Sequence, residues 1–178
     1  RVTVLDSCEG QLRGDRTAAA HYGYAVSTIR ADMRDLSSLV DESFDLVYGA
    51  GMCFVPDARQ VYAGVAKVLR RSGVYRVGFT HPTVEFVDWR AWDGEGYRVS
   101  LPYAERTWIE PVEKGGEPSI QFRHYMDDIF NGLLDEGFRV ERVFDLLRHH
   151  RSDAAARPGS WSHWGAFVGG FSIAARKG

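Results

Sequence analysis

The feature that most constrains the fold is the opening run at residues 2–5, which is apolar or β-branched and stops abruptly at Asp6. Such a run predicts a buried β-strand with an acidic tip. Because open α/β sheets bind ligands at the carboxyl ends of their strands, Asp6 is a candidate for binding the hydroxyls of a ribose. Asp6 or Ser7 could equally cap a following helix, and that alternative stays open at this point.

The rest of the chain repeats a rhythm of strand, turn and helix, which predicts an α/β fold. Helices are predicted at residues 9–22, 57–71 and 125–137, with Ser72-Gly73 and Gly137 as the stops of the last two, whose apolar residues recur at helical spacing. Residues 147–162 are predicted as a loop or a short helix pair. Strands are predicted at 24–30, 43–48, 74–80, 138–144 and 166–175, with a bulge at Gly169 and Gly170. The second helix is expected to hold Arg70 and Arg71 in its last turn, where their charges suit the helix dipole.

A second acidic residue, Asp32, follows the second predicted strand. It is a candidate for accepting a hydrogen bond from the exocyclic amine of a purine, with Met33 as an apolar face, although an isolated aspartate is often only a turn former. Small residues follow the third strand and would let a ligand approach the backbone closely; they are Gly49, Ala50 and Gly51. Their spacing matches neither phosphate-binding glycine pattern, so no phosphate loop is predicted.

Residues 82–118 break this rhythm with many aromatic side chains among glycines, prolines and charges. Short strands are predicted here at 97–101 and 107–109, and another at 120–123. A long insertion with this aromatic load is more often functional than disordered, so we expect a cap over the site. The aromatic side chains could instead only pack the insertion onto the sheet. Its candidate substrate-binding residues are Trp89, Trp92, Tyr103 and Trp108.

Size and composition are those of one ordinary globular domain, with 178 residues, 44% apolar and 26% charged. The net charge of −2 gives no reason to expect a nucleic-acid partner, which would call for a basic excess. No apolar run approaches the length of a membrane span. Cys8 and Cys53 are too few for a disulfide framework, which favours a cytoplasmic location. His149, His150 and His163 lack neighbours at ligand spacing, so no metal site is predicted.

Several motifs, taken in order, resemble those of class I S-adenosylmethionine-dependent methyltransferases. They lie at residues 4–7 with 11–12, 31–36, 43–47 with 55–57, and 68–73. The chain is most similar to the small-molecule group that resembles the ubiquinone and menaquinone biosynthesis enzymes, which also matches residues 132–138 and 158–164. The resemblance implies a Rossmann-like doubly wound mixed sheet, mostly parallel with an antiparallel last strand. It implies one methyltransferase domain over 1–178, with 82–118 as a substrate-cap insertion.

The resemblance also implies S-adenosylmethionine as cofactor and S-adenosylhomocysteine as product. Asp6 would hold the ribose hydroxyls with Ser7 beside it, and Asp32 would accept from the adenine amine. Met33 would donate its backbone N–H to the adenine and pack on the ring. The residues expected to line the sulfonium and methionine end are Gly49, Ala50 and Gly51. Met52 and Phe54 would lie next to the methyl path, and Phe54 stands where family members often carry histidine.

The front of the chain departs from the family pattern. In the family, a glycine-rich turn follows a first strand that comes before the strand ending at Asp6, whereas this chain begins inside that second strand. The family places the missing strand at the centre of the sheet, between the second and fourth strands. Two strands facing a gap of unpaired backbone groups are not a stable arrangement. We therefore expect these residues to be the tail of a longer polypeptide.

The activity that the resemblance implies is methyl transfer to a small-molecule acceptor by in-line displacement, in which the protein aligns the reactants and excludes water. A general base is needed only for a nucleophile that arrives protonated, and the candidates are His81, His124 and Tyr125. Two alternatives stay open: a non-catalytic S-adenosylmethionine-binding or regulatory module, and a nicotinamide-dependent oxidoreductase on a related sheet. The sequence does not indicate the acceptor, the methylated atom or the oligomeric state.

Overall fold

The structure is a computed structural model that describes residues 1–81, 87–110, 119–146, 157–160, 163 and 169–178. Its helices are α1 (Glu9–Tyr22), α2 (Ala58–Val68) and α3 (Met126–Asp135), and a 3₁₀ turn lies at Met52–Phe54. The strands of the main sheets are β1 (Val2–Asp6), β2 (Val26–Arg30), β3 (Phe44–Gly49), β4 (Leu69–Thr80), β9 (Phe138–Leu146) and β10 (Gly170–Lys177). Those of the insertion are β5 (Val87–Trp92), β6 (Tyr97–Val99), β7 (Thr107–Glu110) and β8 (Ser119–Phe122).

The main strands form a parallel pair and a mixed four-stranded sheet. β1 and β2 are parallel and in register from Val2 opposite Val26 to Asp6 opposite Arg30. The larger sheet has the order β3-β4-β10-β9, in which β3 and β4 are parallel and β10 is antiparallel to both of its neighbours. The predicted mixed sheet with an antiparallel last strand is confirmed.

The two main sheets carry different parts of the chain that sequence analysis assigned to one site. Within the described residues, β1 pairs with β2 and β3 with β4, and no strand joins the two pairs. The segment between β2 and β3 links them, since its side chains Met33 and Leu36 pack against the core of the larger sheet. That a further strand lies between β1 and β3 in a longer polypeptide stays a prediction.

The hydrophobic core lies between the four-stranded sheet and helices α2 and α3. The helical spacing predicted a buried face on α2, and its valines Val61, Val65 and Val68 are buried. On α3 the predicted face is buried at Ile129 and Leu133. Burial of such apolar side chains contributes about 25 cal/mol for each Å² removed from water, which holds the helices on the sheet. Gly137 follows the end of α3 with φ +77°, as predicted for a helix stop.

The end of α2 was predicted wrongly. The helix ends at Val68, so Arg70 and Arg71 lie in β4 and not in the last helical turn. Ser72 has φ +63°, and a Cβ on Gly73 would lie 2.9 Å from the carbonyl oxygen of Arg70. These residues form an irregularity in the pairing of β4 with β3. The Ser72-Gly73 signal therefore marks a bend within a strand rather than the end of a helix.

The described pairing of β10 begins at Gly170, so the bulge predicted at Gly169 and Gly170 stays a prediction. The irregularity in the pairing of β10 with β9 lies between Ala174 and Ala175, and Glu141 on β9 is the extra residue there. The Glu141 carboxylate accepts hydrogen bonds from Arg176 at 2.6 and 2.9 Å, and these bonds lower its pKa to about 2. An ion pair thus occupies the bulge. Most of residues 147–162, predicted as a loop or short helix pair, lies outside the described residues.

The insertion forms two antiparallel hairpins, β5-β6 and β7-β8. The strands predicted near 97–101, 107–109 and 120–123 are confirmed, and β5 was not predicted. β8 lies against the Met52–Phe54 turn, so the second hairpin meets the loop that follows β3. In the part of the chain that the structure describes, no helix is both long and apolar enough to cross a membrane.

Candidate functional site

Asp6 lies at the carboxyl end of β1, where the sequence predicted a ligand-binding carboxylate. Its Oδ1 accepts the backbone N–H of Cys8 at 2.7 Å. The N-cap of α1 is Cys8, so neither Asp6 nor Ser7 caps that helix. Ser7 is exposed, and its carbonyl oxygen accepts from Arg30 at 3.2 Å. Among the described residues no donor contacts Oδ2 of Asp6, which leaves that oxygen available to a ligand.

Asp32 lies at the same edge of the sheet as Asp6. Asp6 is opposite Arg30 in the parallel register, and Asp32 comes two residues after Arg30. The amide of Ala31 donates to the carbonyl of Asp6 at 3.1 Å, which holds the two chain segments side by side beyond the strand ends. Neighbouring strands are about 4.8 Å apart, so the two acids lie beyond the ends of adjacent strands at this edge.

The Asp32 carboxylate is held by a residue that the sequence analysis did not single out, Arg34. The Arg34 side chain donates to Oδ1 at 2.9 Å and to Oδ2 at 2.5 Å, and its backbone N–H also donates to Oδ1 at 2.9 Å. The side-chain bonds, followed by the backbone bond, lower the pKa of Asp32 to about 2. Both side chains are nearly half exposed, at 44% and 45%. An aspartate side chain often accepts a hydrogen bond from the backbone N–H two residues later, and this spacing could have identified Arg34.

The loop at residues 49–54, here called the 49–54 loop, follows β3 and is shaped by two glycines. A Cβ on Gly49 would lie 2.8 Å from the hydroxyl oxygen of Tyr75, which is completely buried. The buried Tyr75 side chain therefore leaves room only for glycine at position 49. Gly51 has φ +73°, a conformation that favours glycine. Ala50 between them is exposed.

The 49–54 loop contacts the segment that carries Asp32. The Cε atom of Met33 lies 4.0 Å from the Cβ position of Gly51, so these two predicted cofactor-binding residues are neighbours. Met52 was expected beside the methyl path, but its side chain is buried in the core, where its sulfur lies 3.9 Å from the Tyr75 hydroxyl. Phe54, expected in the same place, is exposed. The contact between Met33 and Gly51 thus joins the residues predicted to bind adenine to those predicted to bind the methionine part.

The three candidate bases lie in different surroundings. His81 follows β4, and its ring meets Phe171 edge-on at 5.7 Å between centroids. The ring of His124 is buried, with Nε2 at 2.8 Å from the carbonyl oxygen of Met52. Tyr125 precedes α3, and burial raises the pKa of its hydroxyl, which donates to a carbonyl of the insertion. His124 is thus the candidate whose ring contacts the 49–54 loop.

The predicted substrate-binding aromatics fall into two groups. Trp92 on β5 packs against Tyr97 and His163 at 5.0 and 4.8 Å between ring centroids, and the Tyr97 hydroxyl lies 2.7 Å from Nδ1 of His163. Tyr103 lies 4.8 Å from Tyr125 and is half exposed. Tyr97 and His163 are 66 residues apart, and no sequence signal joins them. The side chains of two further candidates lie outside the described residues: Trp89 on β5 and Trp108 on β7.

An arginine side chain places a positive charge beside the pair formed by Tyr103 and Tyr125. The guanidinium carbon of Arg106 lies 4.3 Å from the ring centroid of Tyr125, and Arg106 also pairs with Asp128 at 2.6 Å. This pairing raises the pKa of Arg106, which therefore stays charged over the ring. Within the described residues no group of three or more His, Cys, Asp or Glu side chains could hold a metal ion.

The amino-acid sequence is similar to a family model and to a curated protein that are both described as methyltransferases. Residues 1–73 match a family model described as a methyltransferase domain. The chain is 32% identical over 152 residues to a protein of Bacillus subtilis (strain 168) named Uncharacterized methyltransferase YbaJ, in an alignment that covers 81% of this chain and 59% of that protein. The chain thus spans less than two thirds of the length of this curated relative.

Solved structures share the fold. A Listeria monocytogenes protein assigned as an S-adenosylmethionine-dependent methyltransferase gives a TM-score of 0.73 at 20% identity, covering 100% of this chain and 80% of that one. An S-adenosylmethionine-dependent methyltransferase of Mesorhizobium loti gives 0.71 at 23%, covering 99% and 80%. Both of these neighbours are named as S-adenosylmethionine-dependent. Residues 1–73 are therefore similar to a methyltransferase domain, and the chain shares the Rossmann-like α/β fold of these two solved structures.

Proposed function

We propose that the chain is the cofactor-binding and substrate-binding part of a class I S-adenosylmethionine-dependent methyltransferase that acts on a small molecule. The observation that carries this proposal is the pairing of Asp6 and Asp32 at the ends of adjacent parallel strands, next to the contact between Met33 and the 49–54 loop. Acceptor-only carboxylates at such a position suit the hydroxyl and amine donors of one adenosine. The closer kinship to the ubiquinone and menaquinone group belongs to the same proposal.

The residues present fit an adenosine. Oδ2 of Asp6 has no donor in the described part of the chain and would accept from the ribose, while Oδ1 is held by the amide of Cys8 and orients the group. Asp32 is kept ionised by Arg34, as an acceptor for the adenine amine must be. Met33 offers an apolar side chain between Asp32 and the 49–54 loop. These three residues would hold the nucleoside end.

The 49–54 loop would line the methionine end. S-adenosylmethionine, when bound, supplies a methyl group on a sulfonium centre. Gly51 keeps the backbone free of side-chain atoms at the place where Met33 and Phe54 converge, since a Cβ there would lie 3.3 Å from Cδ2 of Phe54. The work of the chain's own residues is to align the acceptor along the line of displacement and to exclude water.

The insertion supports a small-molecule acceptor. Its second hairpin lies against the Met52–Phe54 turn, and its aromatic side chains Trp92 and Tyr103 are partly exposed. Aromatic faces bind flat or apolar molecules, and the net charge of −2 does not suit a polyanion. We therefore assign residues 82–118 as a substrate cap. A cytoplasmic location is part of the proposal because the chain carries few cysteines.

Calorimetric titration of the full-length polypeptide that contains these residues with S-adenosylhomocysteine tests the cofactor site. The wild type is expected to bind, and Asp6→Ala is expected to bind at least about tenfold more weakly because charge-assisted hydrogen bonds are lost. Asp32→Ala should have a smaller effect, since Arg34 already occupies both of its oxygens. The matched control is Asp41→Ala, which removes an exposed carboxylate paired with Lys67 and should leave affinity unchanged.

No binding by the wild type would overturn the proposed function. Transfer of a labelled methyl group from S-adenosylmethionine then tests the acceptor class, with small metabolites, protein and RNA supplied as separate mixtures. Label in the small-molecule fraction supports the proposal. Label confined to protein or RNA would reject the small-molecule acceptor, and cofactor binding without any transfer would favour the non-catalytic binding module.

A further inference from the structure

The three residues between β8 and α3, here called the 123–125 segment, reach two separate parts of the molecule. Arg123 is 5% exposed, and its Nη1 donates to the carbonyl oxygens of Pro102 and Glu105 at 3.1 and 3.0 Å. The Tyr125 hydroxyl donates to the carbonyl oxygen of Tyr103 at 2.5 Å. The side chain of His124, between these two residues, contacts the 49–54 loop instead. The segment therefore ties the base of the insertion to that loop.

His124 makes the contact with the loop through Nε2, which lies 2.8 Å from the carbonyl oxygen of Met52. A carbonyl oxygen only accepts hydrogen bonds, so Nε2 carries a proton and donates it. The ring is 6% exposed and meets Phe79 edge-on, at 6.1 Å between centroids and 72° between planes. A nitrogen whose proton is committed to a backbone carbonyl, on a ring fixed by packing, is not placed to take a proton from an acceptor.

The Met52 carbonyl is a central point of the loop. It also accepts the backbone N–H of Val55 at 3.1 Å, which closes the short 3₁₀ turn. The turn has only three residues, and such short turns depend on tertiary contacts for their position. On the strand side, the loop is fixed by the close approach of Gly49 to Tyr75. On the insertion side, the bond from His124 fixes it.

We propose that His124 is a positioning residue and not the general base. It holds the 49–54 loop in the conformation that receives the methionine end of S-adenosylmethionine, and it keeps that loop in register with the substrate cap. This inference rests on the proposed function, since it names how one residue of the same site acts. Loss of the donor leaves a buried carbonyl less well satisfied and lets the loop shift, which weakens cofactor binding.

The test compares His124→Gln with His124→Leu in the full chain. The glutamine amide can place a donor near the position of Nε2, whereas leucine cannot. We expect His124→Gln to bind S-adenosylhomocysteine within about threefold of the wild type and His124→Leu to bind about tenfold more weakly or worse. The matched control is His21→Leu, on the exposed surface of α1, which should not change affinity. A nitrogen-15 spectrum of histidine-labelled wild type should show Nε2 of His124 protonated, with its proton slow to exchange.

Several results would overturn the inference. Equal affinity of folded His124→Leu and wild type would show that the bond does not position the loop, and failure of the glutamine to restore affinity would show that the donor is not what matters. If the leucine variant does not fold, the glutamine variant and the spectrum still decide, since an unprotonated Nε2 contradicts the assigned bond. A wild type that fails to bind S-adenosylhomocysteine refutes the proposed function itself, and the spectrum then reports separately on the His124 bond.

Discussion

The two ends of the candidate site are held in place by different kinds of contact. At the proposed adenosine end, Asp6 is fixed by the amide of Cys8 and Asp32 by Arg34, each only two residues away along the chain. The Asp32 and Arg34 side chains are nearly half exposed. Local, exposed contacts of this kind contribute little to global stability. The adenosine end is therefore built so that its binding groups can change without disturbing the fold.

The proposed methionine end, the 49–54 loop, is held by buried side chains from distant parts of the chain. Tyr75 packs beneath Gly49, and His124 bonds to Met52 across 72 residues. Both supports are almost completely buried. Substitutions at Asp6 and Asp32 should therefore change mainly the affinity for the ligand. Substitutions at the supports of the 49–54 loop should change both the affinity and the free energy of unfolding.

The largest effect is expected for Gly49→Ala. The new methyl group would lie 2.8 Å from the Tyr75 hydroxyl oxygen and 3.1 Å from its ring, and that ring has no exposed surface into which it could move. Because φ at Gly49 is not in the left-handed region, the cost comes from packing and not from the backbone. Overpacking of this kind lowers the free energy of unfolding by about 2 to 3 kcal/mol. Urea denaturation measures the loss.

Two further variants isolate that clash. Gly14→Ala, in α1 with no atom within 4 Å of the new Cβ, is the matched control and should raise stability by up to about 1 kcal/mol. Adding Tyr75→Phe to Gly49→Ala removes the closest contact and should restore part of the loss. Equal stability of Gly49→Ala and the wild type would mean that Tyr75 does not support the loop, and the contrast between the two ends would fail.

Sequence patterns predicted the positions of the two acids after their strands better than the buried side chains that support the candidate site. Asp6 and Asp32 are visible because each follows a strand, and parallel neighbouring strands place their carboxyl ends together. Tyr75 and His124 are not visible, since nothing in their local sequence states that they meet residues 49 and 52 after folding. The spacing of apolar residues predicts which face of a helix or strand is buried. It does not predict which residues far along the chain will pack against that face, because tertiary packing decides this.

A local sequence motif also gave a wrong prediction where the same residues are compatible with two different structures. The helix stop expected at Ser72 and Gly73 proved to be an irregularity inside β4, because a small residue with a special backbone angle serves either purpose. By contrast, Gly137 does follow the end of α3. The predicted helix at 9–22 coincides with α1, since the three alanines in its C-terminal half have high helix propensity.

An intermediate effect is expected for Leu36→Ala, which tests the anchor of the adenosine end. Leu36 packs on the surface of α2 at Gly64, with its side chain 3.3 Å from the Cβ position there, and is partly buried against the core. Truncation should lower the free energy of unfolding by about 1 to 2 kcal/mol and weaken S-adenosylhomocysteine binding, because Asp32 and Met33 belong to the same segment. Thermal unfolding and calorimetry measure the two effects.

The control for Leu36→Ala is Leu134→Ala on α3, an exposed leucine whose loss should change stability by less than about 0.5 kcal/mol. If Leu36→Ala lowers stability but leaves affinity unchanged, the segment carrying Asp32 keeps its position without this anchor. The adenosine end would then be even more independent of the core than its exposed hydrogen bonds indicate.

The smallest effect on stability, and the sharpest test of the comparison, is expected for Arg34→Ala. The variant should unfold at a urea concentration only slightly below that of the wild type at pH 7, because solvent weakens the exposed pair with Asp32. Affinity for S-adenosylhomocysteine should rise by about two- to fivefold, since the arginine no longer competes for the carboxylate oxygens. Calorimetry measures this gain, and weaker binding would mean instead that Arg34 orients Asp32 for the ligand.

The pH dependence separates these two roles of Arg34. In the folded wild type the pKa of Asp32 is lowered to about 2 by the Arg34 hydrogen bonds, below the usual value of about 3.9. A lowered folded-state pKa contributes stability that is present above about pH 4 and lost as the pH falls towards 2. Arg34→Ala should therefore lose its Asp32 charge at a higher pH than the wild type, as a carbon-13 titration of the carboxyl would measure. If the pKa of Asp32 in the variant stays near 2, the backbone amide of residue 34 alone holds the carboxylate ionised, and the arginine side chain is free to leave when a ligand arrives.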